Sequence, residues 1–137
     1  MNSYENASVL VVDDDKDIVN AIAKLLEKEG YTIYKAYNGL EAIDSLMQND
    51  IKLILIDVMM PKLDGLSAMM KIRTMKNIPI IVLSAKSEDS DKILGLSMGA
   101  DDYIAKPYNP MELIARVQSN LRRYLSLGAA EDRKSVV

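Results

Sequence analysis

Short apolar runs alternate with longer amphipathic stretches along most of the chain. Ser8–Val12 (SVLVV) is short, β-branched and apolar at both parities, which predicts a strand buried on both faces. Lys16–Glu29 has helical spacing, with Val19, Ile22 and Leu26 as its inner stripe and Gly30 as a C-terminal stop. Tyr31–Ala36 (YTIYKA) predicts a second, more alternating strand. Gly39–Met47 predicts a second helix with Leu40, Ile43 and Met47 on one side, and Lys52–Ile56 (KLILI) a third strand. Asp64–Met75 follows as a helix. Pro79–Leu83 (PIIVL) then reads as a strand, with Pro at its first position, where a missing N–H does least harm. Glu88–Met98 predicts a fourth helix closed by Gly99, and Tyr103–Ala105 a short fifth strand. Pro110–Leu125 predicts a fifth helix, with Pro110 at a first helical position and Leu113, Val117, Leu121 and Leu125 along its inner face.

Strands alternating with helices imply parallel pairing through right-handed crossovers, and strands apolar on both faces imply helices on both sides. Five units are too few for an eight-fold barrel, so an α/β, doubly wound (βα)5 five-stranded parallel sheet is expected. Residues 1–125 read as one domain. Residues 126–137 (SLGAAEDRKSVV) have no periodicity and read as a linker or disordered tail.

Composition narrows the chemistry. A chain of 137 residues suits a single domain. It contains no Cys and no His, which removes Ser-His-Asp and Cys-His catalysis and any Cys- or His-ligated metal. A bound metal would be held by oxygen, favouring a hard cation. The net charge of −3 argues against a global electrostatic grip on nucleic acid. Every apolar run is far shorter than the ~20 residues that span a bilayer, and residues 1–7 lack a signal-peptide core, so no membrane association is expected and the cytoplasm is the default compartment.

Four strand ends carry chemistry: the first runs into Asp13, Asp14 and Asp15, the third into Asp57, the fourth into Ser84 and the fifth into Lys106. In a parallel sheet these ends share one rim, where open α/β sheets bind ligands. Gathered carboxylates repel unless a cation sits among them, and the fitting ion is oxygen-ligated Mg²⁺. Lysine and serine beside such an ion answer phosphoryl oxygens. Together they read as phosphoryl chemistry with an aspartate nucleophile. The rival reading makes each residue a helix cap or a solvated charge, and one of Asp13–Asp15 is expected to be an N-cap. Nucleotide-binding loops of the P-loop or G-x-G-x-x-G kind are absent.

VLVVDDD (Val9–Asp15), LIDVMMPKLDG (Leu55–Gly65), PIIVLSA (Pro79–Ala85), GADDYIAKPYNPMELIARV (Gly99–Val117) and LRR (Leu121–Arg123) together resemble the response-regulator receiver domain of bacterial two-component signalling, over roughly residues 7–125. The GADDY, KP and EL-AR elements resemble its OmpR/PhoB-like subfamily. The resemblance implies a CheY-like fold with strand order 2-1-3-4-5. It implies Asp13 and Asp14 as an acidic pair at Mg²⁺, Asp57 as phosphoacceptor, and the Met59 backbone carbonyl as a further ligand. Ser84 would be the switch hydroxyl, Lys106 the phosphoryl-contacting lysine, Tyr103 the switch aromatic, and Lys106–Pro107 a cis bond. The donor would be a sensor histidine kinase, docking beside Ile18 and Ala21 on the first helix. A homodimer formed on phosphorylation would pair Lys92 with Glu112 and Asp102 with Arg116 across a two-fold axis, flanked by Asp101, Arg122 and Arg123. DNA binding would belong to a missing C-terminal domain of a longer parent chain. Serine where the family often has threonine keeps the hydroxyl; Tyr108 stands where phenylalanine is usual. The alternative is a stand-alone receiver acting by protein contact. An aspartyl-phosphate phosphatase is disfavoured because Met59 replaces the second aspartate such enzymes use.

Overall fold

A computed structural model describes residues 6–57, 65–85 and 99–135 of the chain. The central strands are those whose sequences are apolar at nearly every position. β1 (Ser8–Val12), β3 (Leu53–Asp57) and β4 (Ile80–Ala85) lie in the middle of a five-stranded parallel sheet, flanked by β2 (Thr32–Ala36) and β5 (Asp102–Lys106) in the order β2-β1-β3-β4-β5.

The period-2 geometry of the strands divides the core in two. Leu10, Val12, Ile54, Ile56, Ile80 and Val82 face α2 (Gly39–Gln48) and α3 (Gly65–Met75), meeting Ala42, Leu46, Ala68, Met69 and Ile72. Val9, Val11, Leu53, Leu55, Ile81 and Leu83 face the other way. There they meet Val19, Ile22 and Leu26 of α1 (Lys16–Glu27) and Leu113, Val117 and Leu121 of the C-terminal helix (Pro110–Ser135). Apolar residues at both strand parities thus require, and receive, helices on both faces.

Local signals set the helix ends. Asp15 is the N-cap of α1, accepting from the Asp17 and Ile18 N–H groups, as expected for one of the three aspartates. Asn38 caps α2 by accepting from Glu41 N–H, while Glu41 reaches back to accept from Tyr37 N–H. Gly30, at φ 97°, supplies the left-handed turn that ends α1 and starts β2.

Three expectations need correction. In the α2 stripe of Leu40, Ile43 and Met47 only Ile43 packs against the core; Leu40 and Met47 are 63% and 71% exposed. The buried residues are Gly39, Ala42 and Leu46, and the small Gly39 and Ala42 let α2 sit close to its neighbours. The C-terminal helix runs to Ser135 rather than stopping at Leu125. Ala, Leu, Glu, Arg and Lys in that stretch are strong helix formers, and propagating a helix is easier than nucleating one. α1 ends at Glu27, just before its expected stop. The expected helix Glu88–Met98 lies outside the described residues. Among the described residues no helix is long and apolar enough to cross a membrane.

Candidate functional site

Parallel pairing brings the carboxyl ends of β1, β3, β4 and β5 to one rim. β1 leads into Asp13, whose amide donates to Ala36 O. β3 ends on Asp57, in register with Leu83 of β4. Ser84 of β4 pairs with Ala105 of β5, and Ala85 with Lys106. The four strand-end groups singled out in the sequence therefore converge.

Asp13, Asp14 and Asp57 each offer a carboxylate oxygen, and these atoms lie within 4.8 Å of one another. Asp13 and Asp57 are buried, and Asp14 is exposed. Asp13 Oδ1 accepts from the Asp15 N–H, which fixes the side chain inward while Asp15 turns away to cap α1. Lys106 Nζ donates to Asp13 Oδ2 at 2.7 Å and to Asp57 Oδ2 at 3.2 Å. Burial works against the Lys106 ammonium. Its hydrogen bond to Asp13, with the charges of Asp57 and Asp13, outweighs that and holds its pKa above the ordinary lysine value. The lysine is thus a fixed cation across two carboxylates.

The donor set suits a hard divalent cation: three carboxylates, no nitrogen or sulfur, and an exposed member that leaves a side open to water. Met59, the further ligand suggested by resemblance, lies outside the described residues. Ser84 is fully buried and its Oγ has no hydrogen-bond partner among the described residues, an uncommon state for a buried hydroxyl. Tyr103, on the strand beside it, is half-buried against the α2/α3 side of the core. The Lys106–Pro107 bond is cis. Tyr108 packs on the opposite side of the core, where burial pushes its phenol up from the ordinary value.

Asp101, Asp102, Glu112, Arg116 and Arg123, expected on an intersubunit face, each make a contact within the chain. Arg116 Nη1 donates to Asp102 Oδ1 at 2.7 Å and Nη2 to Glu112 Oε2 at 3.3 Å. Asp102 and then Glu112 raise the Arg116 pKa further, against a smaller opposing effect of burial. Asp101 pairs with Arg73 at 2.9 Å. Asn120, only 2% exposed, donates to Asp102 Oδ2 and accepts from Arg123. Lys92 lies outside the described residues. On α1, Ile18 is half-buried and Ala21 exposed. Sequence reasoning missed Arg73 and Asn120: neither lies on a strand end or in a motif, and their acidic partners, Asp101 and Asp102, are distant in the chain or on another element.

The model of the response regulator receiver domain matches residues 9–118. "Response regulator GtcR" of Aneurinibacillus migulanus is 43% identical over 126 residues, 92% of this chain and 52% of that protein. The chain therefore spans about half the length of that relative. Among solved structures, the receiver domain of Francisella response regulator 1452 is 42% identical, with a TM-score of 0.81, covering 86% of this chain and 98% of that one. A two-component response regulator from Clostridium difficile is 35% identical with a TM-score of 0.82, covering 85% and 97%.

Proposed function

The chain belongs to the response regulator receiver domain family, and from that premise we propose that it is a phosphoacceptor switch that takes a phosphoryl group onto Asp57. One observation carries the reading: the buried Asp57 carboxylate shares a cluster with Asp13 and Asp14 and lies 3.2 Å from the Lys106 ammonium. An Asp57 oxygen attacks phosphorus, the phosphorus–nitrogen bond of a phosphohistidine on a sensor histidine kinase breaks, and the imidazole leaves with a proton. Asp57 then carries an acyl phosphate. Lys106 faces the phosphoryl oxygens, and Asp13 holds Lys106 in place. Asp13, Asp14, Asp57 and the Met59 carbonyl would hold Mg²⁺, which when bound neutralises charge on the phosphoryl group. Water attack later returns Asp57 to a carboxylate.

The buried Ser84 hydroxyl, unpartnered among the described residues, is the natural donor to a new phosphoryl oxygen. Its movement would free space for Tyr103 to turn inward. That rearrangement would change the face of β5 and the C-terminal helix, where Glu112, Arg116 and Arg123 lie, and so favour a homodimer. Within an OmpR/PhoB-like parent, residues 126–137 would link this cytoplasmic domain to a DNA-binding half controlling transcription. The 52% coverage of a longer response regulator supports a parent chain over the stand-alone form. Kinase docking beside Ile18 and Ala21 fits the half-buried and exposed positions of those residues on α1.

A small-molecule phosphodonor tests the reading. Labelling should require Mg²⁺ and stop on chelation, and Asp57→Asn should abolish it. Equal labelling of the Asn variant would reject Asp57 as the acceptor.

A further inference from the structure

β5 is an edge strand, so among the described residues only β4 pairs with it. In the central strands the core dictates register: all five residues of β3 are buried, and β1 buries four in succession. β5 buries only Ile104. A strand with so little apolar surface is weakly specified, and a slip of one residue would send each side chain to the other face. Yet β5 carries Lys106 at its far end, where its two contacts need a placement much finer than the ~3.3 Å of one residue.

The start of β5 is pinned instead by polar contacts. The Asp101 N–H donates to Ile80 O at 2.8 Å, and the Ile80 N–H donates to Asp101 Oδ2 at 2.8 Å. Asp101 thus engages both backbone groups of the first residue of β4 and adds a rung below the ladder. The same Oδ2 accepts from Arg73 Nη2 at 2.9 Å. That guanidinium, from α3, also donates to Gly99 O at 2.6 Å and to Ile78 O at 2.8 Å, so it holds the residues leading into β4 and into β5 together. Gly99 has φ +107°, a turn that glycine permits, while a Cβ built there would make only ordinary contact with Arg73 Nε at 3.5 Å. On the opposite face, Asp102 is bound by Arg116 and Asn120 of the C-terminal helix. Two successive aspartates therefore tie one edge strand to both helical layers.

We propose that Asp101 and Arg73 are positioning residues: by setting the register of β5 on β4 they place Lys106 across Asp13 and Asp57, about 16 Å further along the strand. The proposal rests on the phosphoacceptor reading for its effect on rate, but not for its effect on register.

The test combines labelling by a small-molecule phosphodonor in Mg²⁺ with amide hydrogen exchange. Asp101→Ala should slow labelling at least tenfold. Asp101→Ala combined with Lys106→Met should be no slower than Lys106→Met alone, because both act through the same ammonium. Asp101→Asn keeps a carbonyl oxygen for the Ile80 N–H and should retain most of the rate. Exchange in β5 should rise at least tenfold in Asp101→Ala while Val9–Val12 stay protected. Arg73→Met, which leaves the Asp101–Ile80 bonds in place, carries the same comparison if Asp101→Ala does not fold. Wild-type labelling in Asp101→Ala and Arg73→Met, multiplicative losses in the double variant, or unchanged β5 exchange in Asp101→Ala would overturn the proposal. If Lys106→Met itself labels at the wild-type rate, the phosphoryl-site reading fails, and β5 exchange still decides the register.

Discussion

Replacing Lys106 with methionine removes the cation that bridges two buried carboxylates. The Asp13 side chain is 1% exposed and that of Asp57 7%, so water can do little to replace the ammonium; Lys106 itself is 19% exposed. Removing one partner of a buried pair costs about 3–5 kcal/mol. Relief through uptake of a proton sets a ceiling, since protonating an ordinary aspartate at pH 7 costs about 4 kcal/mol. Open access beside the exposed Asp14 lowers the figure somewhat. The expected loss in metal-free protein is about 2–4 kcal/mol, or a fall in Tm of about 6–15 °C for a chain of this size. Calorimetric unfolding in chelator measures it. Mg²⁺ should then stabilise the variant more than the wild type, because Lys106 no longer competes for the same oxygens; occupancy at a hundred times Kd is worth about 2.7 kcal/mol. The pH dependence has a definite sign. The folded-state pKa of Lys106 is raised above 10.5, so the advantage of wild type over variant should be complete below that value and be lost as pH rises through the higher folded value. A metal-free variant as stable as the wild type, with no larger response to Mg²⁺, would refute the bridging role.

Three further outcomes are expected. Ser84→Ala should be neutral or stabilising by up to about 1 kcal/mol in denaturant unfolding, because it deletes a buried hydroxyl without a partner among the described residues, yet it should blunt the change that phosphorylation makes around Tyr103. Asp15→Ala should cost about 1 kcal/mol through loss of the α1 cap while leaving the labelling rate unchanged. Arg116→Glu sets a third acid beside Asp102 and Glu112; with the side chain 40% exposed, the unfolding cost should be about 1 kcal/mol, and sedimentation with a phosphoryl mimic should show a weakened dimer.

The three central strands were legible because burial on both faces leaves a nearly continuous apolar run that needs no partner to be recognised. The rim followed from topology: once all strands are parallel, Asp13, Asp57, Ser84 and Lys106 must share an end. What periodicity could not give was direction around α2, where Leu40, Ile43 and Met47 look like a core stripe. The helix instead turns Gly39, Ala42 and Leu46 inward, and the small Gly39 and Ala42 let it sit close to its neighbours. Nor could it give the polar ties at the start of β5. Arg73 and Asp101 are 28 residues apart, and Asp102 and Arg116 14 apart, so only the folded chain shows that both acids find partners within their own subunit. The motif in which these acids occur pointed to a neighbouring subunit; within the chain they pair with Arg73 and Arg116.

The most direct measurement is the location of the phosphoryl group itself. After incubation with a small-molecule phosphodonor and Mg²⁺, peptide mapping by mass spectrometry should find one modified side chain, Asp57, in the peptide that contains β3. A phosphoryl group on Asp13, Asp14, Ser84 or any other residue, with Asp57 unmodified, would contradict the account.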